Sequence, residues 1–152
     1  MFFLRKPKQQ LTPSESIKFI LATSTKAAVS GFLSGFAYEL FHSTVKGAIT
    51  PKAAIPLRDR TFNAIIAGRQ MSLTSSLFAG MESSLMCLTK HEGSALSAAS
   101  AGISALVINK GPVKTKLMNA SSFMIMTLST DLLCGKPFYQ KLDFSSIHDE
   151  YC

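Results

Sequence analysis

Three cysteines, three histidines and a large number of serines are the side chains in this 152-residue sequence that could act as ligands or nucleophiles. Cys87, Cys134 and Cys152 form no CxxC pair and no even disulfide framework. Cys87 and His91 stand four apart, the spacing that puts two ligands on one helix face, yet no companion ligand follows. The simpler reading is a packed thiol and a surface imidazole. His42 and His148 have no acid or nucleophile at a useful spacing, and serine is too common here for a triad to mean anything. No catalytic constellation results, so we expect no enzyme, no metal and no cofactor.

The ionisable residues inside apolar text are more informative. Arg69 and Glu82 lie within residues 61–88, TFNAIIAGRQMSLTSSLFAGMESSLMCL, and Asp131 closes a later apolar segment. A charge facing lipid at mid-bilayer costs on the order of 2.5–3.5 kcal/mol, so such residues are expected to face protein or a wet cavity. Lys90 follows directly in a short polar turn.

The elements that carry these residues are rich in small side chains. Every fourth position of the same stretch reads Gly68, Ser72, Ser76, Gly80, Ser84, and residues 17–41 repeat the spacing with Ala27, Gly31 and Gly35. Small-xxx-small ladders are how helices approach closely in lipid, where contact between apolar side chains gains nothing over contact with acyl chains. Four spans are expected near 17–41, 62–88, 94–109 and 113–133, giving an all-α integral membrane bundle of four transmembrane helices in a single domain. Between the first two, 42–60 holds Pro51, Pro56 and Arg58-Asp59-Arg60 and reads as a loop with a charged stop. Residues 89–93, TKHEG, form a turn short enough to force antiparallel neighbours. Residues 1–16 read as a polar N-terminal segment and 135–152 as a polar tail.

An apolar fraction of 47% and a mean hydropathy of +0.23 place the chain above soluble norms in hydrophobicity, and its formal charge is +7. The basic residues are spread along the chain without aromatic interleaving, which argues against nucleic acid and is what a membrane protein presents to anionic lipid. The opening MFFLRKPKQQ is too short for a secretory signal and lacks the long amphipathic run of a cleaved presequence. Any mitochondrial targeting information is therefore expected to be internal.

The arrangement of short Gly/Ser/Ala-rich spans resembles the channel-forming subunits of the mitochondrial inner-membrane protein translocases, the Tim family, and most closely their carrier-translocase branch. The resemblance covers about residues 25–133. Its most specific piece is 78–102, FAGMESSLMCLTKHEGSALSAASAG, with Glu82, Lys90 and the Ala101-Gly102 pair at the family's membrane glutamate, basic turn and third-helix positions. Residues 129–133, STDLL, are similar to the acid-bearing end of the fourth helix.

The resemblance implies a translocase subunit that inserts polytopic carrier precursors, with other translocase subunits, intermembrane-space chaperones, the precursors and membrane lipid as partners. Arg69, Glu82, Asp131 and Lys90 would then line or brace an intramembrane cavity, while Ala27, Gly31, Gly35, Gly68, Ser72, Ser76, Gly80, Ser84 and Gly102 pack helices. The acids and Arg69 pairing only with one another is the alternative. The same family includes a structural accessory subunit of respiratory complex I. Basic residues are too evenly divided between the two sides for the positive-inside rule to orient the chain. The resemblance places both termini in the intermembrane space.

Overall fold

The computed structural model describes residues 11–50 and 55–142. Among them are four α-helices, α1 (Pro13–Ile49), α2 (Leu57–Thr89), α3 (Ser94–Ile108) and α4 (Val113–Leu133), and two short strands, β1 (His91–Glu92) and β2 (Gln140–Lys141). The expected polar segment up to residue 10, Pro51 of the connecting loop, and the tail beyond Leu142 with His148 and Cys152 lie outside the described residues.

Helix α1 starts earlier than its apolar text because Thr12-Pro13-Ser14-Glu15 is a capping box with proline at the first helical position. The Thr12 N–H donates to Glu15 Oε2 at 2.7 Å, and the Glu15 N–H returns a bond to Thr12 Oγ1 at 3.3 Å. The helix also outlasts expectation. The expected loop from His42 is helical to Ile49, since only Gly47 interrupts good propagation before the Thr50-Pro51 pair, where residue 50 is pushed out of the α region. Arg58, Asp59 and Arg60, expected as a charged stop, instead form the first turn of α2. The N–H groups of Asp59 and Arg60 both reach the Pro56 carbonyl at 3.0 Å.

The chain gathers into two compact units. One comprises, among the described residues, 24–50 and 55–77, the later part of α1 and the earlier part of α2. Its seam is built on glycine. A Cβ on Gly31 would sit 2.7 Å from the Met71 carbonyl oxygen, one on Gly35 2.8 Å from that of Ala67, and one on Gly68 2.9 Å from that of Phe32. On α2 the contacting positions are thus 67, 68, 71 and 75, beside a fully buried Ala64. This departs from a strict every-fourth ladder for a geometric reason. Four residues turn a helix through about 400°, so each step drifts about 40° and a ladder of five positions leaves the seam. Ser72 and Ser76 are only half-buried, and Ser76 Oγ donates to the Leu73 carbonyl of its own helix.

The other unit comprises 11–23 and 78–142 among the described residues. Here α3 packs along α4, with Gly102 against Met124, where a Cβ would lie 2.6 Å from Cγ. Asn109 caps α3 with its Nδ2 on the Ala105 carbonyl at 2.7 Å and accepts from Asn119 Nδ2 of α4 at 3.1 Å. Gly80 and Ser84 are half-buried, and Ser84 Oγ donates to the Gly80 carbonyl. Residues 135–142, expected as a free polar tail, return to the body of the unit: β2 pairs antiparallel with β1, and Leu142 is buried against Phe19, flanked by Leu11, Met86 and Cys87.

Of the expected all-α bundle of four transmembrane helices, the structure shows the four helices. Among the described residues one helix, α1 near the N-terminus, is long and apolar enough to cross a membrane. Helix α3 is apolar but has 15 residues, while α2 and α4 mix serine, threonine and charge into their apolar text.

The seam makes a direct prediction. Gly35→Ala places a methyl group against a carbonyl oxygen that cannot move without the α2 backbone, and should destabilise the fold by about 1–3 kcal/mol. The neighbouring exposed Ser34→Ala should be silent. Thermal unfolding of the two variants in one detergent checks the contrast.

Candidate functional site

Four polar side chains converge in the unit that holds α3 and α4. Glu82 comes from α2, Ser97 from the first turns of α3, Asp131 from the end of α4, and Lys136 from the segment that follows. Lys136 Nζ lies 3.2 Å from Glu82 Oε1 and 3.2 Å from Asp131 Oδ2, and donates to Ser97 Oγ at 2.6 Å. Ser97 Oγ in turn donates a short hydrogen bond to Glu82 Oε1. The hydroxyl therefore uses both its donor and an acceptor position. Asp131 Oδ2 accepts no aligned hydrogen bond, so its link to the ammonium is an ion pair by distance alone.

The end of α4 delivers the lysine. Gly135 takes a left-handed φ of 77°, its N–H bonds the Leu132 carbonyl at 3.0 Å, and the Lys136 N–H bonds the Asp131 carbonyl at 2.9 Å. This is the Schellman arrangement, in which a glycine just past the helix turns the chain back along its last turn. It sets Lys136 beside Asp131, and Glu82 approaches the same ammonium from α2.

Burial alone would lower the Lys136 pKa, but the Glu82 carboxylate, followed by Asp131, outweighs it and holds the ammonium above its ordinary value of 10.5. The cluster holds two carboxylates to one cation, a residual charge of about −1. With Lys136 39% and Glu82 21% exposed, it lies between the surface regime, where ion pairs stabilise little, and the buried regime, where breaking one is costly.

The other ionisable candidates sit elsewhere. Arg69 is exposed and belongs to the 24–77 unit, whereas Glu82 belongs to the other. The Lys90 side chain is exposed; its backbone has a φ of 60°, and its carbonyl accepts the Leu142 N–H at 3.1 Å. Cys87 packs toward Phe19 and Leu142, whereas His91 stacks on Tyr139 with ring centroids 4.3 Å apart, so the two do not form a ligand pair. Ala27 is half-buried in the 24–77 unit. Lys136 and Ser97 were not legible as site residues. The available signal was Gly135-Lys136-Pro137, glycine past a helix end followed by proline, which marks a tight return of the chain.

No family model, curated protein or solved structure matches this chain. The cluster must therefore be interpreted from its own geometry, which joins α2, α3, α4 and the returning segment through one ammonium and one hydroxyl.

Lys136→Met leaves two carboxylates and a serine without their common donor. It should lower stability by about 1–2 kcal/mol, a figure already reduced for partial exposure. Lys141→Met, at an exposed position on β2, should have no such effect. Because the folded chain holds the Lys136 proton more tightly than the unfolded chain, the cluster's contribution is complete below pH 10.5 and is lost as pH rises through the folded value. Unfolding followed from neutral to alkaline pH should show that loss in the parent and not in Lys136→Met.

Proposed function

We propose that this chain is a multi-pass membrane subunit of a protein translocase in the mitochondrial inner membrane, handling polytopic carrier precursors. The observation that supports membrane residence is an inverted distribution of side chains. Among the described residues the largest fully buried side chains are Ser94, Ser97 and Ser100, while Leu33, Ile125 and Met126 are 60%, 65% and 69% exposed. In water such a fold would forfeit the hydrophobic stabilisation of its bulky residues and bury hydroxyls instead. In lipid the same pattern is favourable, because acyl chains solvate the outside and close approach of small residues holds the inside. The inversion also explains the modest hydropathy of α2 and α4: their polar residues count against a span wherever they face.

In this reading α1 to α4 cross the membrane and both termini share the intermembrane-space side. The 37 residues of α1 give ~55 Å of helix against ~30 Å of hydrocarbon, so it extends well beyond the bilayer. A precursor segment is drawn in by the membrane potential, which supplies ~2.3 kcal/mol per elementary charge per 100 mV. The residual negative charge at Glu82, Asp131 and Lys136 is available to such a segment. Precursors, intermembrane-space chaperones and other translocase subunits are the partners.

A second reading, a structural accessory subunit of a respiratory complex, draws on one specific feature. Glu82 is already neutralised by Lys136, as a brace would be.

Glu82→Gln separates the two. Glutamine can keep the bond to Ser97, and Lys136 keeps Asp131, so the fold should assemble. A translocase subunit should then show reduced import of a carrier precursor in isolated mitochondria, with normal mobility on native gels. Normal assembly with unchanged import counts against the translocase reading. Purification in mild detergent should bring along intermembrane-space chaperones; respiratory-complex subunits in their place would establish the accessory reading.

A further inference from the structure

The returning segment 135–142 does more than carry Lys136. It closes the start of α3. A helix leaves its first N–H groups without intrahelical partners, and in contact with water they need none from the protein. Here the Ser94 N–H donates to the Pro137 carbonyl at 2.9 Å, the Ala95 N–H to the Phe138 carbonyl at 3.1 Å and the Leu96 N–H to the Gly93 carbonyl at 3.1 Å. Ser94 Oγ also reaches Pro137. Gly93 makes room for this with a φ of 139° and a Cβ position only 2.6 Å from the Phe138 oxygen. Full internal satisfaction of backbone donors is what a water-poor setting demands.

Helix α3 is also short. Its 15 residues give ~22 Å, less than the ~30 Å of a hydrocarbon layer. Something must occupy the remaining depth at one end. At the closed end Leu88 and Leu133 are 79% and 88% exposed, and Phe138 and Tyr139 are more than half exposed. Tyr139 is held in place by stacking on His91. Aromatic rings flanked by aliphatic residues are the usual contents of the bilayer interface. Among the described residues the ionised groups of this end are Lys18, Lys90, Lys136 and Lys141 against Glu15, Glu82, Glu92 and Asp131, so their charges cancel and attraction to anionic lipid is not the force involved.

We infer that the β1–β2 pair and segment 135–142 form an interfacial plug: Phe138 and Tyr139 sit at the headgroup boundary of the bilayer, and the N-terminus of α3 begins beneath it. The inference rests on the membrane reading above and adds to it a depth for one end of the fold. The occupant of this surface is the lipid interface itself, recognised by apolar and aromatic contact.

The chain contains no tryptophan, so single substitutions give clean depth probes. Phe138→Trp, Tyr139→Trp and, as a reference on the exposed face of α4, Phe123→Trp are each reconstituted as full-length protein in phosphatidylcholine vesicles. Nitroxide lipids labelled near the headgroup or deep in the chain, and aqueous iodide, serve as quenchers. Indole emission from either plug variant should be blue-shifted, lose about half its intensity to the shallow nitroxide, resist iodide and be unchanged by high salt, as expected for interfacial aromatics. The reference should be quenched by the deep label. If the reference is quenched by lipid while both plug probes respond only to iodide, the plug is overturned and the membrane reading stands. If the reference also responds only to iodide, the membrane reading fails and the plug with it. Using two plug positions keeps the test decisive where one substitution disturbs the His91 stack.

Discussion

The smallness of the α3 interior is the constraint on which the rest depends. Apart from Leu96, the buried residues of α3 are all small, Ser94, Ser97, Ala98, Ser100, Ala101, Gly102, Ser104 and Ala105, and side chains of this size shed little apolar area each. Such a helix is held by close backbone approach and by satisfying most of what it buries: the Ser94, Ser97 and Ser100 hydroxyls have partners, whereas Ser104 Oγ is buried without one. Ser100 Oγ turns back to the Leu96 carbonyl at 2.8 Å, a local bond that hides a hydroxyl without calling on a neighbour. Ser97 does the reverse. It turns outward to Glu82 and Lys136, and in doing so converts a featureless helix into one with a defined rotational setting.

That setting explains why a charged cluster belongs at this place. Apolar contacts between helices of alanine and serine tolerate sliding and rotation, because one small residue replaces another at little cost. A carboxylate on α2 that must meet one hydroxyl on α3 and one ammonium beyond α4 tolerates neither. The cluster therefore contributes register more than net stability, the best-attested use of partly buried polar groups. The Thr23 and Ser83 hydroxyls, 2.7 Å apart, fix α1 against α2 in the same unit by the same means.

Much of the helical outline was legible because punctuation in the sequence is strong where it matters. Residues 94–109 and 113–133 read as elements and appear as Ser94–Ile108 and Val113–Leu133, since Gly93 and the Gly111-Pro112 pair leave few alternatives. Region 42–60 departs from its expected loop because a missing hydrophobic period does not mean a missing helix. A helix whose outside faces lipid or a mixed environment need not show an amphipathic period, and only Thr50-Pro51 and Pro56 impose a break. Thr12-Pro13-Ser14-Glu15 was a readable start signal that hydropathy alone passes over.

The site was legible by half. Glu82 and Asp131 stand out because charge inside apolar text must be compensated, which follows from composition alone. Their compensator could not be chosen the same way. Arg69 and Lys90 were nearer in sequence to Glu82, whereas Lys136 is 54 residues away and reaches it only because Gly135 reverses the chain past α4. Proximity in sequence favours a partner only within a helix face or across a turn. Once the partner lies across helices, the residue that matters is the one placed by the turn, and here a single left-handed glycine decides which of several lysines neutralises the carboxylates.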